Sequence, residues 1–149
     1  MRTVHESTIV EVAPAAAQAL WVDTSRWPSF VDGFARLIER GDTWPEAGAK
    51  LVWQSGPAGR GRVTERVRES GPGVFATDVF EDQLAGMQTV LFDAHEEGSL
   101  VTLQLEYELQ KGGPLRAITD ALFIRRAVSD ALVRTLRRFS TEAAEQATL

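Results

Sequence analysis

Between Phe34 and Leu109 the chain reads as six short alternating segments cut apart by turn residues, and this stretch constrains the fold more than any other. The candidate strands are Ala35–Arg40, Ala49–Ser55, Arg60–Glu69, Val74–Glu81, Met87–His95 and Leu100–Leu109. Gly41-Asp42, Ser55-Gly56-Pro57, Ser70-Gly71-Pro72-Gly73 and Glu97-Gly98 separate them, supplying the backbone angles and local hydrogen bonds that tight turns need. Strands joined by such short connections run antiparallel, because a parallel pair needs a long crossover. Thr3–Val12, rich in Thr and Val, reads as a further strand whose direction the spacing leaves open.

Helical signals flank this meander. Ala13-Pro14 opens a helix, with proline at the first position, where its missing N–H costs nothing. The Ala-rich run to Val22 continues it and Asp23-Thr24-Ser25 ends it. Ser25 is expected to cap a second short turn from Trp27 to Val31, stopped by Asp32-Gly33. Beyond Gly112-Gly113-Pro114 a long helix is predicted from about Leu115 to Ala144. There Ile118, Leu122, Val128, Leu132, Leu136 and Phe139 recur at helical spacing. Arg126, Asp130 and Arg134, then Arg138 and Glu142, follow one another at i,i+4 and are expected to support the helix surface. The expected architecture is one α+β domain over residues 1–149, with a seven-stranded antiparallel sheet, two short helices between strands 1 and 2, and a long C-terminal helix packed on the sheet.

The last hairpin has the cleanest alternation. A two-residue Glu97-Gly98 loop pairs Ala94 with Val101, Phe92 with Leu103, Val90 with Leu105 and Gln88 with Tyr107. One face then carries Val90, Phe92, Val101, Leu103, Leu105 and Leu109, and the other Asp93, Gln104, Glu106 and Glu108. Gln88 and Tyr107 end the apolar face, where their polar tips meet either solvent at the rim or a ligand in a pocket. In the preceding hairpin, a Ser70–Gly73 loop pairs Glu65 with Asp78 among Val63, Val67, Ala76 and Phe80. Two facing carboxylates inside would share a proton and suit acid–base work or a hydroxyl-bearing ligand. A one-residue shift or a bulge at Gly61 or Gly73 would turn them outward. Trp53 alternates with Leu51 and Ser55 and is expected to point inward.

Composition removes whole classes of chemistry. With no cysteine, disulfides, thiolate metal sites and cysteine nucleophiles are excluded. His5 and His95, the only histidines, lie on separate strands, so neither a metal site nor a metal cofactor is expected. The net charge is −5, with all but Lys50 and Lys111 of the 16 basic residues arginine, and this disfavours a nucleic-acid partner. No apolar run approaches the roughly 18 residues of a membrane span. The N-terminus lacks an apolar signal core, so the cytoplasm is the expected location. Gly56–Arg62 is glycine-rich but lies between strands, which makes it a hairpin loop and not a phosphate cradle.

The order of these features resembles a known family. A strand runs into Ala13-Pro14, an Ala-rich helix ends in Leu20-Trp21, Asp23 and Trp27-Pro28 follow, and Ser99–Leu103 to Tyr107-Glu108-Leu109 precedes the final helix. Over roughly residues 3–145 the chain is similar to the START/Bet v 1-like helix-grip superfamily, nearest its polyketide cyclase/dehydrase and lipid-transport-like (SRPBCC) group. The resemblance implies a sheet curved around the long helix, with an apolar cavity between them closed by the short helices and loops. Its members bind lipids, polyketides, hormones or quinones, and some catalyse cyclisation or dehydration. By position, the implied pocket wall is Trp53, Phe92, Leu103, Leu105, Tyr107, Leu122 and Phe123, with Phe30 at the mouth. The family has no universal catalytic motif, so no catalytic residue carries over.

Three functions are therefore expected as alternatives. The first is binding or carriage of a small hydrophobic molecule, of lipid, polyketide or aromatic type, by a monomer or homodimer without cofactor. The second is a cyclase/dehydratase in which Glu65 or Asp78 acts as acid or base and Tyr107 polarises an oxygen. The third is a protein-interaction module of the chaperone-activator type.

Overall fold

The computed structural model describes residues 1–57, 59–110 and 114–148, with the backbone alone over 114–121. The elements follow in the order β1 (Arg2–Val10), α1 (Pro14–Val22), a 3-10 turn (Thr24–Arg26), α2 (Trp27–Phe30), β2 (Phe34–Arg40), β3 (Lys50–Ser55), β4 (Arg62–Gly71), β5 (Val74–Phe80), β6 (Leu84–His95), β7 (Gly98–Leu109) and α3 (Pro114–Ala147). The seven strands form one antiparallel sheet in the order β1-β7-β6-β5-β4-β3-β2. The direction the spacing left open is thus settled by β1 pairing antiparallel with β7. The Gly112-Gly113 break and the Ile118 side chain lie outside the described residues.

Local chemistry explains the helical entry. Pro14 occupies the first turn of α1, and Ala13 caps it without a side-chain bond. Asp23, not Ser25, caps the next turn: its Oδ1 accepts from the Ser25 backbone N–H at 3.1 Å and from the Ser25 hydroxyl at 2.6 Å. Aspartate is the better cap because its charged oxygen takes both donors at once. Gln18 then fastens α1 to the β4–β5 turn. Its amide donates to the carbonyls of Gly71 (2.8 Å) and Val74 (3.1 Å), and its oxygen accepts from Gly73 N–H (2.9 Å).

The β6–β7 hairpin keeps the expected faces but not the expected pairs. The loop is Glu96-Glu97, so Phe92 faces Val101, Gln88 faces Leu105 and Gly86 faces Tyr107. A two-residue slip preserves which side every residue points to, because side chains alternate with period 2. In β4–β5 the change matters more. A bulge at Arg68, between the pairs Glu69–Ala76 and Val67–Thr77, shifts the register by one. Glu65 consequently pairs with Val79, and Arg66 with Asp78. Phe75, Thr77 and Val79 are buried, while Phe80 is half exposed.

The helix α3 lies across the concave face. Leu132, Leu136, Phe139 and Ala143 are buried, with Ile124 and Val128 packed beside them. Phe139 meets Trp21 and Phe30, each at 5.1 Å between ring centroids. Three of the charges expected to pair along α3 reach across to other elements. Arg134 and Arg138 both bind Asp32, at 2.9 and 3.2 Å, and Glu142 binds Arg26 at 2.8 Å. The two guanidinium groups hold the Asp32 carboxyl below its ordinary 3.8, chiefly through the Arg134 hydrogen bond. A carboxylate with a lowered folded pKa stabilises above its unfolded value, and that gain is lost as pH falls through the lower folded value. Asp32→Asn should therefore cost about 1 kcal/mol near neutrality, a discounted figure because both arginines are partly in water. Urea unfolding should show the gap between the two proteins closing below pH 3.8.

Candidate functional site

Sheet curvature leaves an inner cavity beside α3 that is bordered by a buried carboxyl group. Its volume is about 40 Å³. Trp53 (β3), Glu65 (β4), Gln88 (β6) and Leu103 (β7) form the sheet wall. Trp21, Trp27 and Val31 close it from the helical entry, Leu132 and Thr135 from α3, and Asp32 and Arg60 stand at its half-exposed edge. A water needs roughly 10–15 Å³ of such volume, and an engineered cavity that takes benzene measures about 150 Å³. The space therefore suits a head group of a few atoms, not an acyl chain.

Glu65 is the chemical centre of this space. It is 5% exposed, on β4 between Leu51 and Val79. Its diagonal neighbours aim donors at it: the Trp53 indole N–H donates to Oε2 at 2.8 Å and the Thr77 hydroxyl donates to Oε1 at 2.9 Å. Both donors are neutral, and no arginine or lysine among the described residues forms an ion pair with Glu65. Each carboxylate oxygen keeps acceptor capacity beyond the one bond it receives. At the edge, Arg60 pairs with Glu81 and lays its guanidinium 5.2 Å from the Trp53 ring centroid, a cation–π arrangement. Burial raises the Glu81 carboxyl above its ordinary 4.5 and outweighs the opposing pull of Arg60.

One donor in the wall has no acceptor. The indole nitrogen of Trp21 is buried and unpaired. The Tyr107 hydroxyl is likewise buried without a partner, but Tyr107 does not line this cavity. A buried unpaired donor costs roughly 1–3 kcal/mol, so each such group calls for an explanation.

Of the residues expected at the site, Trp53, Gln88, Leu103 and Glu65 come together here. Asp78 does not: the Arg68 bulge turns it to the opposite face, where it binds Arg68 at 3.1 Å, so the facing carboxylate pair does not form. Phe30, expected at the mouth, is wholly buried in the aromatic core between Trp21 and Phe139. Phe92 and Leu105 are buried in the same core without lining the cavity. Leu122 and Phe123 are 68% and 74% exposed, because the roughly 100° step per helical residue puts Phe123 about half a turn from Leu132. Trp21, Trp27, Arg60 and Thr135 in the lining, and Thr77 behind Glu65, are not expected from the sequence alone. Clustered tryptophans in the helical entry were the available signal for the first two. A wider groove of about 360 Å³ runs between β1 and α3, but it is walled by hydroxyl groups such as Ser7, Thr8, Ser140 and Thr141 and contains no buried charge. Among the described residues no group of three His, Cys, Asp or Glu could hold a metal ion, and no helix is long and apolar enough to cross a membrane.

This architecture, a curved seven-stranded antiparallel sheet gripping one long C-terminal helix with two short helices between β1 and β2, is a helix-grip fold. Solved structures share this fold. A START superfamily protein from Mycobacterium smegmatis superposes with a TM-score of 0.77 at 11% identity, over 97% of this chain and 98% of that one. The di-domain ARO/CYC StfQ of the steffimycin biosynthetic pathway gives 0.79 at 16% identity, over 99% of this chain and 52% of that one. Norcoclaurine synthase from Thalictrum flavum, in complex with dopamine and hydroxybenzaldehyde, gives 0.70 at 14% identity, over 97% and 87%. No family model matches the chain, and no curated protein matches it.

Proposed function

We propose that the protein binds one small molecule at the Trp21–Trp53–Glu65 cavity, with its polar end inside and its apolar body against the tryptophans. The observation that carries this reading is a buried carboxyl group that pairs with no cationic side chain among the described residues, in a wall that is otherwise mostly aromatic and aliphatic. Such a site combines an apolar lining with a few fixed polar groups, the usual make-up of a ligand pocket. The volume favours a compact, aromatic-type ligand over a lipid. The fold neighbours include a norcoclaurine synthase holding two small aromatic molecules, which supports the same preference by analogy alone.

Three of the four tryptophans line the cavity, so ligand entry reports on itself. Titration with a panel of small aromatic compounds should change tryptophan emission saturably, at one ligand per chain. Ala131→Leu, which fills the cavity from α3, should abolish that change while leaving the melting temperature close to the parent's. A panel without any saturable response would sink the proposal.

A second reading rests on Glu65 as a lone general base, since it faces the cavity with acceptor capacity to spare. It predicts that Glu65→Gln retains binding and loses turnover of whichever bound compound is converted.

A further inference from the structure

The cavity offers two hydrogen-bonding groups of opposite kind, an acceptor with capacity to spare and a donor without a partner. Glu65 presents carboxylate oxygens that accept, each already holding one neutral donor. Trp21 presents an indole N–H that donates and has no acceptor. Both residues are more than nine-tenths buried, and both border the same 40 Å³. A head group that settles both must accept and donate at once.

Few head groups do so within that volume. An ammonium group donates to Glu65 but leaves the Trp21 N–H orphaned. A carboxylate or ketone accepts from Trp21 but turns oxygen lone pairs toward Glu65. A methyl group does neither. A hydroxyl does both with a single heavy atom. We propose, building on the small-molecule reading above, that the cavity selects a neutral hydroxyl-bearing ligand, phenol-like in its smallest form. Its O–H donates to Glu65, its oxygen accepts from the Trp21 indole N–H, and its ring lies outward toward Trp27, Val31 and Arg60. Sites built to hydrogen-bond a hydroxyl discriminate strongly against the analogue lacking it, because that analogue leaves buried polar groups unpaired. Arg60 opposes a cationic ligand at the same edge, its charge already standing over Trp53.

Phenol, toluene and benzylamine, similar in size and different in head group, serve as probes. Proton–nitrogen NMR spectra of the intact protein resolve the indole N–H resonances, and Trp21→Phe identifies the one from Trp21. Phenol should move that resonance downfield and bind at least about tenfold more tightly than toluene. Glu65→Gln should erase most of the preference for phenol over toluene, read as the ratio of the two affinities within the variant, which keeps the test valid if Trp21→Phe does not fold. Equal binding of phenol and toluene, or tightest binding of benzylamine, overturns the hydroxyl assignment and leaves the small-molecule site standing. Failure of all three compounds to bind overturns both.

Discussion

Phe139→Ala is expected to lower the unfolding free energy by about 3–5 kcal/mol, the range for a large aromatic truncated in a packed core. Phe139 is wholly buried and is the point where α3 meets the helical entry, with Trp21 and Phe30 each 5.1 Å away in tilted-edge contact. Those edge contacts add to area burial because the positive ring edge meets a negative face. The two surrounding rings belong to different elements, Trp21 to α1 and Phe30 to α2, which limits their collapse into the space. Urea unfolding should show the midpoint falling with little change in slope. Because Trp21 leans on Phe139 and lines the cavity, ligand affinity should fall in the same variant. A midpoint within experimental scatter of the parent's would mean that α3 is held to the sheet by something other than this aromatic cluster.

Gly86→Ala is the second large effect, and it acts through backbone. Gly86 faces Tyr107 across β6 and β7. A Cβ built there would sit 2.0 Å from the Glu106 carbonyl oxygen and 2.9 Å from the Tyr107 Cα. Neither neighbour is a flexible side-chain tip, so relief requires the two strands to part. The cost should reach about 3 kcal/mol, the upper part of the usual range for overpacking. For a chain of this size that corresponds to a fall of roughly 6–12 °C in melting temperature, readable by circular dichroism. The aromatic-cluster and strand-spacing effects involve separate contacts and should be close to additive in the double variant.

The sheet and the long helix were legible because alternation, turn residues and helical spacing are local signals. The faces of β6 and β7 survived even though the loop sits one position earlier than Glu97-Gly98 suggests, since a two-residue slip changes partners and not sides. The β4–β5 pair was harder for a physical reason. Both faces of β5 carry apolar residues, Phe75 and Val79 on one and Ala76 and Phe80 on the other, so alternation alone cannot choose between them. The choice is made by the bulge at Arg68, whose sequence carries neither glycine nor proline to announce it. Glu65 could be placed inward from Val63 and Val67 beside it, but the loss of Asp78 as its partner followed from that unannounced bulge. The remaining walls depend on where α1, α2 and α3 come to rest. Trp21 and Thr135 lie more than a hundred residues apart and share the cavity only after folding.

The ion pairs that bind the helical entry to α3 give the cavity two walls of different material. On the sheet side, Glu65 and its donors are buried beside Leu51, Val63 and Val79. On the helix side, Asp32 is held by arginines that are nearly half in water, and Arg26 is similarly placed against Glu142. Dissolved ions screen the second set and hardly touch the first. Ionic strength thus acts on the roof of the cavity and spares its floor, so a concentrated salt solution and a dilute buffer would present the same recognition groups beneath a covering of different stiffness.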